Sequence, residues 1–258
     1  MRIVSWNVNS VRFRIRAVRH VLRNQAPDIL CLQETKVTDE LFPRERLRDL
    51  GYVYQAVSGQ KGYHGVAIVS RVPLESVRVR VPYRHILATL PGGVILHNIY
   101  APAGGDVPDP DKNPKFAEKL QFFRGLSRWF RGRGVEERRA VLVGDLNVAP
   151  LPCDVWCHKK LIRVVTHTPV EVAALEKLAS SLDWIDALRR FVPAPEPLFT
   201  WWSYRAPNWK RANKGRRLDH VWVTSGLEYG VASAEVLRTV RGWKLPSDHA
   251  PVKIELSL

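Results

Sequence analysis

Six short segments place acids, amides or a histidine at or just after an apolar run. They are Trp6-Asn7, Gln33-Glu34-Thr35-Lys36, Asn98-Ile99-Tyr100-Ala101-Pro102, Gly144-Asp145-Leu146-Asn147, Arg217-Leu218-Asp219 and Ser247-Asp248-His249. Phosphodiester hydrolysis needs these residue types. Carboxylates hold a hard cation such as magnesium through oxygen, and the cation neutralises charge on the phosphoryl group and the leaving oxygen. A carboxylate or histidine positions or deprotonates water. Amide, phenol and imidazole donors stabilise the charge that grows on phosphate oxygens. Taken singly, each residue has a plainer reading. Asp219 reads as a buried acid satisfied by Arg217, His249 as a core histidine, Asn7 as a turn amide and Tyr100 as a core phenol. Six such segments in one chain are harder to dismiss.

The elements that must position them are short apolar runs at 2–8, 28–34, 65–70, 94–100, 140–146, 218–224 and 251–258. Their length and β-branched content suit buried strands, and in α/β folds sites assemble at strand ends and the loops that follow. Between them lie helical signals. Ser10 is placed to cap a helix over 11–25, where Val11, Ile15, Val18 and Leu22 repeat at helical spacing and Pro27 ends the pattern. A second helix is expected over 114–129. A third begins at Thr168, with Pro169 in its first turn and Glu171 near the positive end of the dipole. Strand-rich halves before and after about residue 130 predict two packed sheets flanked by helices, in one domain spanning 1–258.

Forty basic residues against 25 acidic ones give a net charge of +15 and a pI near 10.1. Such a surface attracts polyanions, nucleic acid first and an anionic membrane second. Three cysteines, Cys31, Cys153 and Cys157, have no disulfide-framework spacing, and Cys153, Cys157 and His158 lack the second ligand pair of a zinc site. No run approaches the roughly 20 apolar residues of a membrane span, and 1–12 does not read as a signal peptide. A cytoplasmic monomer is expected.

SWNVNSVR, LQETK, NIYAP, GDLNVAP, NKGRRLD and PSDHAPV stand in the order and spacing of exonuclease III. The chain therefore resembles that family, of the exonuclease–endonuclease–phosphatase superfamily, over its whole length. The resemblance implies a DNase I-like fold, an α/β four-layer sandwich of two packed mixed β-sheets flanked by helices. It implies an Mg2+-dependent DNA repair nuclease, with Mn2+ as a substitute, acting on double-stranded DNA at abasic sites and 3′ ends. Glu34 would be the main metal ligand, with Asn7 beside it and Asp248 contributing. Asp145 would orient and activate water, and Asn147 would help hold the scissile phosphate. His249, paired with Asp219, would contact that phosphate, and Tyr100 would hydrogen-bond the phosphate or the departing oxygen. Relatives carry an apolar or aromatic residue where Arg216 stands, lining the pocket for a base-less sugar; Trp201 and Leu218 match that lining, or are core residues.

Arg205, Lys210, Arg211, Lys214, Arg216 and Arg217 interleave with Trp201, Trp202, Tyr204 and Trp209, a pattern suited to phosphates and unpaired bases. The loop 60–65 is a further candidate contact. His167 precedes the third helix. It either faces the DNA, where its ring would favour 3′-end trimming over abasic-site cutting, or packs at the helix start. Three other readings compete with the leading one. The first is a 3′-end-trimming exonuclease or 3′-phosphatase with weak abasic-site activity. The second is a phosphodiesterase acting on a phospholipid or inositol phosphate. The third is a nucleic-acid binding module without catalysis, against which the intact acids and His249 argue.

Overall fold

Alternation within the apolar runs decides which residues meet. A computed structural model describes residues 1–134, 138–206 and 208–257. Residue 258, the end of the last expected strand, and Pro207 of the basic loop lie outside them. The N-terminal strands are β1 (Arg2–Asn7), β2 (Ile29–Gln33), β3 (Tyr54–Ser58), β4 (Val66–Ser70), β5 (Ser76–Val81), β6 (His85–Leu90) and β7 (Val94–Tyr100). They are followed by β8 (Ala140–Asp145), β9 (Ile185–Asp186), β10 (Trp201–Trp202), β11 (Gly215–Arg216), β12 (Asp219–Val223), β13 (Val231–Val236) and β14 (Val252–Leu256). The principal helices are α1 (Ile15–Gln25), α2 (Arg44–Arg48), α3 (Pro114–Arg131), α4 (His158–Leu161) and α5 (Pro169–Ala179).

Two six-stranded sheets form, ordered β13-β14-β1-β2-β4-β3 and β5-β6-β7-β8-β12-β9, beside the ribbon β10-β11. Both are mixed: β1 runs parallel to β2 and β7 parallel to β8, with antiparallel neighbours. One core lies between the sheets and joins Ile3, Ile29, Cys31 and Ile68 to Leu96, Val141, Val143 and Val221. The outer faces carry separate clusters, Val4, Trp6 and Leu30 under α1 and Leu142, Trp222 and Phe123 under α3 and α5. The layers run helix, sheet, sheet, helix, the expected four-layer sandwich. Strands buried on both faces read as continuous apolar runs, which is why all seven expected strands are found.

The expected division near residue 130 does not separate the sheets. The helix α3 is the crossover joining the parallel strands β7 and β8, so the chain stays in the second sheet there. The first sheet is completed from the far end of the chain, where β14 pairs with β1. A second departure concerns α1. Asn9 and Ser10 have φ of 47° and 85°, and the amides of Ser10 and Val11 donate to the carbonyls of Glu34 and Thr35 at 2.7 and 3.1 Å. This pairing with the loop after β2 delays the helix to Ile15, and Ser10 is not its cap. The α5 start is as expected, with Thr168 and Glu171 forming a capping box.

A polar bridge fixes one sheet on the other. Asn98 of β7 donates from Nδ2 to the carbonyls of Leu32 and Ala67 at 3.1 and 2.9 Å, and its Oδ1 accepts from Gln33 Nε2 at 2.7 Å. All of this is buried. Gly144 has φ of 141°, and a Cβ there would meet the Ile99 carbonyl at 1.9 Å, so only glycine brings β8 this close to β7 before Asp145. Among the described residues, no helix is long and apolar enough to cross a membrane. Asn98→Ala takes one acceptor from Gln33 Nε2, which keeps Ser5 Oγ, and the side-chain donor from two carbonyls, and buried unsatisfied groups cost about 1–3 kcal/mol each. Urea unfolding should show a loss of at least about 2 kcal/mol; a loss within about 0.5 kcal/mol, the range of neutral surface changes, would deny the bridge its role.

Candidate active site

Along each central strand, alternate residues face the inter-sheet core, and at one end of the sandwich the last of them is polar. Asn7 pairs in register with Gln33, and Tyr100, Asp145 and Asp219 stand in register across β7, β8 and β12. Residues in register share a face, so the two sheets present one polar rung at the mouth of the core. Glu34 follows directly on β2 at φ 50°.

These side chains are wired together. Asn7 Nδ2 donates to Glu34 Oε1 at 3.0 Å and to Asp145 Oδ2 at 2.9 Å. The Tyr100 hydroxyl donates to Glu34 Oε1 at 3.0 Å, and Lys36 Nζ lies 2.8 Å from Glu34 Oε2. Burial alone would raise the Glu34 pKa, but Lys36 and the Asn7 amide outweigh it and hold the carboxyl below its usual range. Asn147 donates from its backbone to Asp145 Oδ1 at 2.9 Å and from Nδ2 to Asp145 Oδ2 at 3.2 Å. His249 bonds through Nδ1 to Asp219 Oδ2 at 2.8 Å and turns Nε2 towards Asp145 Oδ2 at 3.7 Å.

The electrostatics follow from burying this much acid. Burial pushes Asp145 up to about 7, His249 opposing the shift and Asp219 adding to it. Burial would lower the His249 pKa, yet Asp219 and Asp145 carry it up to about 10, so the imidazolium is favoured. Asp248 is held low, against the effect of burial, by His249 and by bonds from Trp201 Nε1 at 2.9 Å and Asn9 Nδ2 at 3.1 Å. Asp145, Asp219 and His249 offer ligand atoms within 4.8 Å of one another, and Asp219 Oδ1 is buried without a partner. The His249–Asp219 hydrogen bond accounts for part of that closeness, and Glu34 is joined to the group through Asn7. Clustered carboxylate oxygens with an orphaned acceptor fit a hard divalent cation.

Around this floor lies a cleft of about 600 Å³. Its lining includes Glu34, Tyr100, Asp145, Asn147, Asp248 and His249, with Trp156, Trp201, Arg205, Lys214, Arg216 and Leu218 on the walls. Arg216 Nη1 donates to the Val165 carbonyl at 3.1 Å and to Thr166 Oγ1 at 2.7 Å, and its guanidinium lies 5.4 Å from the Trp201 ring centre.

The family model for the endonuclease/exonuclease/phosphatase family matches residues 4–249. The chain belongs to that family. It is 29% identical to exodeoxyribonuclease III of Haemophilus influenzae, over 99% of each chain. Among solved structures it is similar to NExo, a Neisseria 3′ phosphatase bound to a product DNA hairpin, with 34% identity and a TM-score of 0.92 over 100% of both chains. An AP endonuclease from Archaeoglobus fulgidus has 32% identity and a TM-score of 0.92, again over 100% of both chains.

Within this family fold, four of the basic and histidine candidates for substrate contact do not line the cleft. Arg217 is buried and directed away from it, where Nε and Nη2 meet Asp154 at 2.9 and 3.1 Å and Nη1 meets Asp186. It is a structural ion-pair residue, and it does not satisfy Asp219. His167 is also buried; its Nδ1 bonds the Ala149 carbonyl at 2.6 Å and its Nε2 the His158 ring at 2.8 Å. That corrects the DNA-facing reading in favour of packing at the start of α5. Lys210 and Arg211 sit exposed on the helical turn Trp209–Ala212, off the cleft lining.

Sequence reasoning missed several supports. Thr200 Oγ1 donates to Asp219 Oδ2 at 2.6 Å, the Trp6 indole holds the His249 carbonyl at 3.1 Å, and Ser247 Oγ donates to the Asn7 carbonyl at 2.7 Å. Trp156 was missed as well, with Lys160 and Lys214 at 5.4 and 4.9 Å from its ring centre. Apart from Trp156–Lys160, four residues apart, no local spacing marks these contacts. Arg217→Met would leave Asp186 without its buried cation and Asp154 with Arg189 alone, and breaking a buried pair typically costs about 3–5 kcal/mol. Denaturant unfolding should show that loss; an unfolding free energy within about 1 kcal/mol of wild type would return Arg217 to the list of free cations.

Proposed function

We propose that this protein is a DNA repair nuclease that uses Mg2+, with Mn2+ as a substitute, to hydrolyse phosphodiester bonds at 3′ ends and abasic sites of duplex DNA. The observation that carries the reading is the hydrogen-bonded rung of Glu34, Asn7, Tyr100, Asp145 and Asp219–His249, buried but for Glu34, under a cationic, tryptophan-lined cleft. Relatives named as exodeoxyribonuclease III, 3′ phosphatase and AP endonuclease match the chain end to end. The lipid-phosphodiesterase reading has no such relatives among them.

Glu34 is the main metal ligand, with Asn7 beside it and Asp248 adding charge at the rim. The cation supplies neutralisation of the phosphoryl oxygens when bound. His249, kept protonated by Asp219 and Asp145, donates to a phosphate oxygen. An imidazolium cannot accept the water's proton, so that role falls to Asp145, whose pKa is raised towards neutrality. Tyr100 and Asn147 orient the phosphate. Trp201, Leu218 and Arg216 contact the substrate from the walls.

One observation favours a narrower reading, in which 3′-end removal dominates and abasic-site cleavage is weak. Arg216 lies over the Trp201 ring, on the aromatic face a base-less sugar would pack against. Duplexes carrying a recessed 3′ end, a 3′-phosphate or an abasic-site analogue, with and without chelator, test both readings. Activity should vanish with chelator and return with Mg2+, and Asp145→Asn should lower turnover by at least about 10²-fold while DNA binding persists. Full turnover in excess chelator, or near-normal turnover in Asp145→Asn, would remove the metal or Asp145 from the reaction.

A further inference from the structure

Lys119 stands in the middle of α3 with its side chain wholly buried, paired with the equally buried Glu171 of α5. Buried ion pairs are seldom needed for stability, since apolar groups of similar volume commonly replace both partners at no loss. The remaining hydrogen bonds of this ammonium show where it acts. Lys119 Nζ donates to the Asn147 carbonyl at 2.7 Å and to the Ala103 carbonyl at 3.3 Å. With Glu171, these use all three of its donors.

Asn147 needs such a hold. It sits at φ 53°, in the left-handed region, two residues past the strand that ends on Asp145. Its side chain bridges Asp145 Oδ2 at 3.2 Å and the Ala101 carbonyl at 3.0 Å. Glu171 extends the link to the opposite wall. Its two oxygens accept the Thr166 amide at 3.0 and 2.9 Å, and Thr166 Oγ1 accepts from Arg216. One buried cation thus joins the loop after Tyr100 to the loop after Asp145, and through Glu171 reaches the segment that carries Arg216.

We propose that Lys119, together with Glu171, is a positioning residue of the active site: its ammonium fixes the backbone of Asn147 and so the aim of the Asp145 and Asn147 side chains. It touches no reacting atom, and the proposal rests on the cleft being the site of DNA hydrolysis.

The test separates position from stability. Lys119→Met combined with Glu171→Gln removes both charges, leaves an acceptor for the Thr166 and Thr168 amides, and strips the donor from the Asn147 and Ala103 carbonyls. The double variant should keep its Tm within about 4 °C of wild type. Its kcat on a 3′-phosphorylated duplex should fall about 10²-fold, the scale of an ångström misplacement, with KM changed less than about threefold. Amide exchange over 144–149 should quicken. Leu178→Ala, which opens the buried packing of α5 and makes no side-chain hydrogen bond to Lys119 or Glu171, should lower Tm and spare kcat. If the Met variant does not fold, Lys119→Gln with Glu171→Gln is measured against the same expectations. A folded double variant with kcat within about threefold of wild type overturns the proposal, and so does a Leu178→Ala variant that loses kcat as severely. A wild-type protein without nuclease activity would sink the functional reading instead; unchanged exchange over 144–149 in the double variant would then overturn the positioning role on its own.

Discussion

The structure depends on keeping several carboxylates together in one buried place. Glu34, Asp145 and Asp219 converge where two sheets meet, the two aspartates fully buried and Glu34 half-buried at the cleft floor. Two unit charges of like sign about 4 Å apart repel by roughly 4 kcal/mol at the effective permittivity of protein sites. The surroundings offset this. The Asn7 amide is shared between Glu34 and Asp145, Lys36 lies against Glu34, and His249 sits between Asp219 and Asp145. Burial still carries the Asp145 pKa up to about 7, with Asp219 and Glu34 adding to it, so negative charge there stays costly. An acidic floor left short of positive charge is a place for a cation, and that is the centre of the functional reading.

The rest of the molecule carries the opposite sign. The net charge of +15 is spread over the surface and over the cleft walls, where Arg205, Lys214 and Arg216 lie. A positive exterior draws in a polyanion from a distance. An acidic floor then binds only what brings or shares a metal ion. The two halves of this field recruit different partners to the same cleft, and neither would serve alone.

Much of this was legible in the residue order, and the limits have physical causes. Strands such as β1, β2 and β8 are buried on both faces, so their sequences are mostly apolar and give way visibly to Asn7, Gln33-Glu34 and Asp145. The strand β5 escaped notice because SVRVRV lies at a sheet edge, largely exposed on both faces. The basic segment misled for another reason. Arg216 and Leu218 line the cleft while Arg217 points into the ion-pair network, and composition treats the two arginines alike. The period of two along a strand was the signal that separates them. His167 escaped because its partners, Ala149 and His158, are set by the path of the loop before α5. Trp6, Thr200 and Ser247 reach their partners His249, Asp219 and Asn7 across 243, 19 and 240 residues of chain, and no short motif records such contacts.

The most direct measurement is a calorimetric titration of the DNA-free protein with Mn2+ and Mg2+, in wild type and in Glu34→Gln. The account predicts saturable binding of a divalent cation by the wild type, with protons released as Asp145 gives up its share, and a loss of that binding of at least about tenfold in Glu34→Gln. A wild-type protein that binds neither ion at millimolar concentration, or a Glu34→Gln protein that binds as tightly as wild type, would contradict it.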